Sequence, residues 1–105
     1  LPMNDEISVL ELSEILEKKP DTVLIDVREQ DEFDEANLSG KLIPMSEFQS
    51  RWQEIPQDVP VYLYCRSGRR SRVALEFLKK QGYTNGFNVG GGILAWFNEV
   101  NPDGR

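Results

Sequence analysis

The run Thr22-Val23-Leu24-Ile25-Asp26-Val27 shows no alternation of apolar and polar residues; only Thr22 and Asp26 are polar. A strand with one face in water alternates, so a near-continuous β-branched run reads as a strand buried on both faces. Val61-Tyr62-Leu63-Tyr64 is a second run of this kind. Burial on both faces needs helices above and below, and strands joined through such helices pair in parallel. The chain is therefore expected to be α/β, with a parallel sheet between two helical layers.

The segments between these runs carry helix signals. Ser8-Val9-Leu10-Glu11 matches a capping box, Leu12, Ile15 and Leu16 continue an apolar face, and Lys18-Lys19-Pro20 ends it. Glu29 to Ala36 reads as a short acidic helix with Phe33 and Ala36 inward, and Lys41-Leu42-Ile43 as a short strand stopped by Pro44. Ser46-Glu47-Phe48-Gln49 is a second capping box, followed at helical spacing by Phe48, Trp52 and Ile55. A helix over Ser71 to Gln81 is expected to bury Val73, Ala74, Phe77 and Leu78 and to end at Gly82. Gly86-Phe87-Asn88-Val89 reads as a last strand, and Gly90-Gly91-Gly92 as a tight turn into a helix from Ile93 to Val100.

At 105 residues this is one domain with a single core, residues 1–105, with 1–5 expected to be a remnant or linker and 101–105 a flexible tail. No apolar run is long enough to span a bilayer, and no basic-then-apolar leader opens the chain. One cysteine allows no internal disulfide. These features suit a cytoplasmic protein with no membrane partner. The net charge of −6 is uneven: residues 1–60 carry 15 acidic and 5 basic side chains, and residues 61–105 carry 3 and 7. An acidic chain with one positive patch suits a small anion and argues against nucleic acid. A small domain of this charge is compatible with a monomer. The acidic stretch from Asp26 to Glu35 is expected to be a solvated helix face.

Most of the positive charge surrounds the single cysteine, in Cys65-Arg66-Ser67-Gly68-Arg69-Arg70-Ser71-Arg72. Cys65 lies between the end of a strand and the start of a helix, where unpaired N–H groups and the helix dipole favour a thiolate and an anionic substrate. A free thiol of pKa about 8.5 is only a few per cent ionised at neutral pH, and a shift of about two units needs roughly 2.7 kcal/mol. A few charge-assisted N–H bonds and one close guanidinium can supply that. The bland alternative, a small buried hydrophobe, fits poorly beside four arginines.

Three motifs in this order resemble the rhodanese (sulfurtransferase) family over nearly the whole chain. They are Leu24-Ile25-Asp26-Val27-Arg28-Glu29 with Glu32-Phe33, then Cys65 to Ser71, then Gly91-Gly92-Ile93 with Ala95-Trp96. The resemblance implies a rhodanese-like three-layer α/β/α fold with a central, mostly parallel five-stranded sheet. It implies that Cys65 takes sulfur from thiosulfate or another sulfane donor, holds it as a persulfide, and passes it to a thiophilic acceptor. The loop from Arg66 through Ser67, Gly68, Arg69 and Arg70 to Ser71 would then cradle the persulfide and the anionic donor. Arg70 closes the Cys-x-x-x-x-Arg loop, Arg66 and Arg69 are candidates for binding the donor, and Gly68 serves the backbone. Asp26 and Arg28 match positions that support the loop from behind. No cofactor and no metal is implied.

Ala36-Asn37-Leu38 stands where many members carry Gly-His-Ile, and the chain has no histidine, so the thiolate must form without an imidazole base. The wording around Ala36 to Pro44 and at Asn98 to Pro102 is similar to domains fused behind E1-like adenylating enzymes for molybdopterin or thiamin. That similarity implies a cysteine desulfurase or a ubiquitin-like sulfur-carrier protein as partner. Three rivals are weighed against this reading. A phosphatase or arsenate reductase of the related cell-cycle type needs five residues between cysteine and arginine, and here there are four. A regulatory, non-catalytic domain often lacks the cysteine. A redox sensor would oxidise without transferring sulfur. Trp52 and Trp96 are expected in the core, and the triple glycine lacks the Lys-Ser/Thr ending of a phosphate loop.

Overall fold

The computed structural model describes residues 5–101. Five strands form one sheet: β1 (Glu6–Ile7), β2 (Val23–Asp26), β3 (Lys41–Leu42), β4 (Val61–Tyr64) and β5 (Gly86–Val89). Their order is β1-β5-β4-β2-β3, and every pairing is parallel. The helices are α1 (Val9–Lys18), α2 (Gln30–Glu35), α3 (Phe48–Arg51), α4 (Arg69–Lys80) and α5 (Gly92–Ala95).

Side-chain alternation along the central strand sorts the core into two layers. Val61, Leu63 and Cys65 pack with Phe48, Ile55, Ala74, Leu75, Leu78 and Tyr83, under α3 and α4. Tyr62 and Tyr64 pack with Val9, Leu12, Val89 and Ile93, under α1 and α5. This is the three-layer α/β/α arrangement expected from the two buried runs. A slip of β4 by one residue would exchange the two sets of side chains, so burial fixes the register. Each fully buried Leu or Ile contributes about 1.5–3 kcal/mol.

From β2 the chain crosses outward to β3, and from β4 it crosses the other way to β5. The carboxyl ends of β2 and β4 therefore border the point where the connections diverge, the usual place for a ligand in such sheets. Asp26 closes β2 and Cys65 follows β4, side by side: Asp26 is in register with Tyr64.

Several local expectations are corrected. Ser8 and Glu11 do form the capping box of α1, but Ser46 caps nothing. Its hydroxyl and N–H go to the Glu29 carboxylate, at 2.8 and 3.3 Å. Pro44 and the Met45 N–H bond to Val27 O (3.1 Å) set the chain there, and the segment becomes a 3₁₀ turn (Met45–Glu47), one α turn and a second 3₁₀ turn (Trp52–Glu54). Helix α4 starts at Arg69 rather than Ser71, because Gly68 makes the left-handed turn before it. Its inner face is Ser71, Ala74, Leu75 and Leu78, whereas Val73 is 61% exposed. Gly82 follows α4, and the Gly82 and Tyr83 N–H groups bond Lys79 O and Leu78 O as in a Schellman stop. The last helix is only α5, continued by a wider π-type turn over Trp96–Val100. The acidic stretch is not simply solvated, since Asp26 is fully buried and Glu32 is paired.

The segments 1–5 and 101–105 lie outside the described residues except for Asp5 and Asn101. Asp5 pairs with Arg72 at 3.1 Å and Lys79 at 2.6 Å, and its carbonyl accepts the Asn88 N–H at 2.7 Å. The Asn101 N–H bonds Trp96 O at 2.9 Å. Trp52 packs partly buried against Phe77 and Tyr83, edge-on, and Trp96 against the other layer. Among the described residues no helix is long and apolar enough to cross a membrane.

Candidate active site

Cys65 leaves the end of β4 as a buried side chain, and the chain then curls so that the start of α4 faces its sulfur. The Gly68 N–H points at Sγ at 3.1 Å, and the Ser71 N–H and hydroxyl oxygen each lie 3.4 Å from it. Two glycines make the curl possible. Gly68 has φ +99°, a left-handed conformation that costs most residues about 1 kcal/mol or more. Gly92 has φ +60°, and a Cβ there would run into the Cys65 and Arg66 carbonyl oxygens. Because Gly92 has none, the first turn of α5 closes on the loop: the Ile93 N–H bonds Cys65 O at 2.9 Å and the Leu94 N–H bonds Arg66 O at 3.1 Å.

Burial pushes the Cys65 thiol up, while the Ser71 hydroxyl and the N–H groups of Ser71, Gly68 and Ser67 pull it down. The pull prevails, and the thiol sits below its ordinary range. The donors are neutral groups of the loop. No arginine among the described residues bonds the sulfur; Arg70 lies near enough to feel the Cys65 charge, but its guanidinium is bonded elsewhere. Arg70 makes a two-pronged bond to Glu32 of α2, at 2.8 and 2.9 Å. Arg72 is held by Asp5, Glu6 and Glu76. Arg66 and Arg69 are exposed and make no ion pair among the described residues. Of the four loop arginines, these two are the ones left exposed without an ion-pair partner among the described residues.

Asp26 and Arg28 lie under the neighbouring strand end. Arg28 donates through Nε and Nη2 to both Asp26 oxygens, at 3.0 and 2.7 Å, and Asp26 also accepts the Arg28 N–H at 2.9 Å. Arg28 Nη2 reaches Ala36 O at 2.7 Å, and its guanidinium lies 5.6 Å from the centre of the Tyr64 ring. The Tyr64 hydroxyl in turn accepts the Leu38 N–H at 3.0 Å. The pair thus braces the residue before Cys65 and the segment from Ala36 to Leu38.

Two residues were passed over in the sequence. Asn88 of β5 is buried and bonds Ser71, Gly68 O and Glu6. A polar residue between apolar neighbours in a buried strand is the signal that could have found it. Glu32 stands in the first motif, but its pairing with Arg70 spans 38 positions and leaves no local signal.

Glu32 yields a pH prediction. The Arg70 guanidinium, with help from the Glu29 N–H, lowers its carboxyl from 4.5 to about 2. A carboxylate depressed in the folded state adds stability above its unfolded pKa and loses it as pH falls through the folded value. Glu32→Gln should therefore be less stable than the wild type near neutral pH, with the gap closing between 4.5 and about 2. Urea unfolding midpoints across this window measure it; a gap independent of pH would contradict the pairing.

Comparison with known proteins identifies the frame. The rhodanese-like domain family matches residues 8–99. A sulfurtransferase of Allochromatium vinosum is 40% identical over 95 residues, covering 90% of this chain and 89% of that protein. The probable adenylyltransferase/sulfurtransferase MoeZ of Mycobacterium tuberculosis is 38% identical over 96 residues, 89% of this chain but only 24% of that protein. Among solved structures, a rhodanese-related protein of Thermoplasma volcanium superposes with a TM-score of 0.81 at 32% identity, covering 92% of this chain and 94% of that one. The human single-domain sulfurtransferase TSTD1 gives 0.79 at 25% identity, covering 92% and 98%. The family match begins at Ser8, the cap of α1, and ends beyond α5, so it takes in every residue that touches the sulfur: this chain belongs to the rhodanese-like domain family.

Proposed function

We propose that this protein is a sulfurtransferase that carries sulfane sulfur on Cys65. The observation that carries the reading is the cradle of the Gly68 N–H, the Ser71 N–H and the Ser71 hydroxyl around a buried sulfur. In the first half-reaction the Cys65 thiolate attacks the outer sulfur of thiosulfate. A new S–S bond forms, the old one breaks with its electron pair going to sulfite, and Cys65 is left as a persulfide anion. In the second, an acceptor such as cyanide attacks the terminal sulfur, leaves as thiocyanate, and returns the thiolate. Charge and atoms balance in both steps without a base, which suits a chain with no histidine. The loop N–H groups would stabilise the charge on the terminal sulfur.

The exposed Arg66 and Arg69 would attract the sulfonate end of the donor. Replacing either by Ala should raise KM for thiosulfate by about 2–10-fold with little change in kcat, the pattern of lost ground-state binding. Steady-state kinetics at low salt measure it; an unchanged KM in both variants would remove them from donor binding. Commitment of Arg70 to Glu32 weighs against phosphatase chemistry, in which that arginine would wrap a phosphate.

The biological donor and acceptor are proposed by analogy. Names such as that of MoeZ combine adenylyl and sulfur transfer in one protein. On that analogy the donor side would be a persulfidated protein such as a cysteine desulfurase, and the acceptor a ubiquitin-like sulfur carrier, in the reducing cytoplasm. The direct test of the activity is cyanide-dependent thiocyanate formation. Turnover with thiosulfate or with a low-molecular-weight persulfide is expected; none with either would sink the reading.

A further inference from the structure

Behind the sulfur, β5 supplies a buried polar residue that sulfur transfer does not by itself require. Asn88 is 2% exposed and lies between Phe87 and Val89. Its amide is oriented from one end: Nδ2 donates to Glu6 Oε1 at 3.0 Å and to Gly68 O at 3.2 Å. Oδ1 is thereby turned toward Ser71, whose hydroxyl donates to it in a short bond. The same Ser71 oxygen is the one 3.4 Å from Cys65 Sγ.

A serine hydroxyl has one proton, so Ser71 cannot donate to Asn88 and to the sulfur at once. A neutral thiol sulfur is a weak acceptor, and the amide oxygen outcompetes it. In that state the thiol can donate its own proton to the Ser71 oxygen. A thiolate carries charge and competes far better for the hydroxyl. In a persulfide the charge moves to the outer sulfur, and the inner one is again a weak acceptor.

We propose that Asn88 is a positioning residue that draws the Ser71 proton away from the Cys65 sulfur. The thiolate then rests on the backbone N–H groups of Gly68 and Ser71, and gains the hydroxyl only at the expense of the Ser71–Asn88 bond. The effect is to keep the thiolate less satisfied. A thiolate with fewer donors is more basic and more nucleophilic, and it has more to gain by becoming a persulfide.

The other charged groups around Cys65 have ion-pair partners of their own, although Glu6 loses the Asn88 amide when Asn88 is changed. Arg70 on α4 is paired with Glu32 of α2, Asp26 with Arg28 at the end of β2, and Glu6 of β1 with Arg72 of α4. Arg66 and Arg69 point to solvent. Asn88→Leu keeps the branched shape and the number of side-chain heavy atoms but adds volume, so Asn88→Ala is measured beside it; Gly68 O keeps the Arg72 N–H at 3.3 Å, and Glu6 keeps the Arg72 guanidinium at 2.7 Å.

The test is the pH dependence of Cys65 alkylation by iodoacetamide in the wild type, Asn88→Leu, Ser71→Ala and the double variant. It needs no sulfur donor, so its result stands whether or not thiosulfate loads Cys65. Asn88→Leu is expected to lower the Cys65 pKa by roughly half a unit to one unit. The limiting rate of its thiolate should fall about 2–3-fold, as basicity is lost. Ser71→Ala should raise the pKa, and on that background Asn88→Leu should do nothing. A purely structural Asn88 would instead loosen the loop and act alike on both backgrounds. That outcome, or an unchanged or raised pKa in Asn88→Leu, overturns the proposal. Thermal unfolding accompanies each variant, and Asn88→Ala carries the same expectations should the leucine variant not fold.

Discussion

Cys65→Ala is expected to lower sulfur transfer by at least about a thousand-fold while the protein remains folded. The chain has one cysteine and no histidine, so no other side chain can form the persulfide or stand in through a base. The cost to the fold should be small. Cys65 is 1% exposed and packs with Leu63, Ala74 and their neighbours, so removing sulfur leaves a small void and takes the acceptor from the Gly68 and Ser71 N–H groups. Together these cost about 2–4 kcal/mol, against a stability of about 5–15 kcal/mol for a domain of this kind. The Ser71 hydroxyl keeps Asn88 as acceptor and is not orphaned. Thiocyanate formation and thermal unfolding of the same preparation separate the two effects. Activity close to wild type in a folded variant would contradict the mechanism outright.

The largest effect on stability is expected at Asp26. Its carboxylate is fully buried and is the counter-ion of Arg28, itself 4% exposed. Asp26→Ala leaves a buried guanidinium whose remaining close partners among the described residues are Ala36 O and the Tyr64 ring. Breaking one side of a buried pair costs about 3–5 kcal/mol, because the remaining charge is uncompensated. For a domain of this size that corresponds to a fall in Tm of roughly 12–40 °C. Activity should fail with it, since Arg28 also fastens Ala36 and lies over Tyr64, the residue before Cys65. Asp26→Asn should fall between wild type and Asp26→Ala, as it keeps shape and some hydrogen bonds without the charge. A loss below about 1 kcal/mol in Asp26→Ala would mean that the pair does not brace the strand end.

How much of this was legible in the sequence depends on how local the cause is. β2 and β4 could be read because burial on both faces leaves an apolar run, and their parallel pairing followed from the helices between them. β1 could not, because Glu6–Ile7 is too short to carry a pattern and exists through its pairing with Asn88 and Val89. Ser46 carried a correct local signal for a cap, overridden by Pro44 and by Glu29 reaching across from another element. On α4 the reading favoured Val73 for its hydrophobicity. The face that is buried includes Ser71, a polar residue whose burial is explained by Cys65 and Asn88.

The same division holds at the site. The cysteine, the glycine turn and the helix behind them were visible as spacing, because a loop that aims N–H groups at one atom is a local device. Which arginines remain available was not visible. Arg70 and Arg72 are engaged by Glu32, Asp5 and Glu6, residues 38 to 67 positions away. Only the fold decides that Arg66 and Arg69 stay exposed, without an ion pair among the described residues, while Arg70 joins the loop to α2.

Whether Cys65 carries sulfur is tested by the intact mass of the reduced protein after exposure to thiosulfate, or to a low-molecular-weight persulfide, and removal of the excess. The wild type should gain one sulfur atom and lose it on adding cyanide, and Cys65→Ala should gain none. No gain from either donor with Cys65 reduced, or an equal gain on Cys65→Ala, would contradict a Cys65 persulfide.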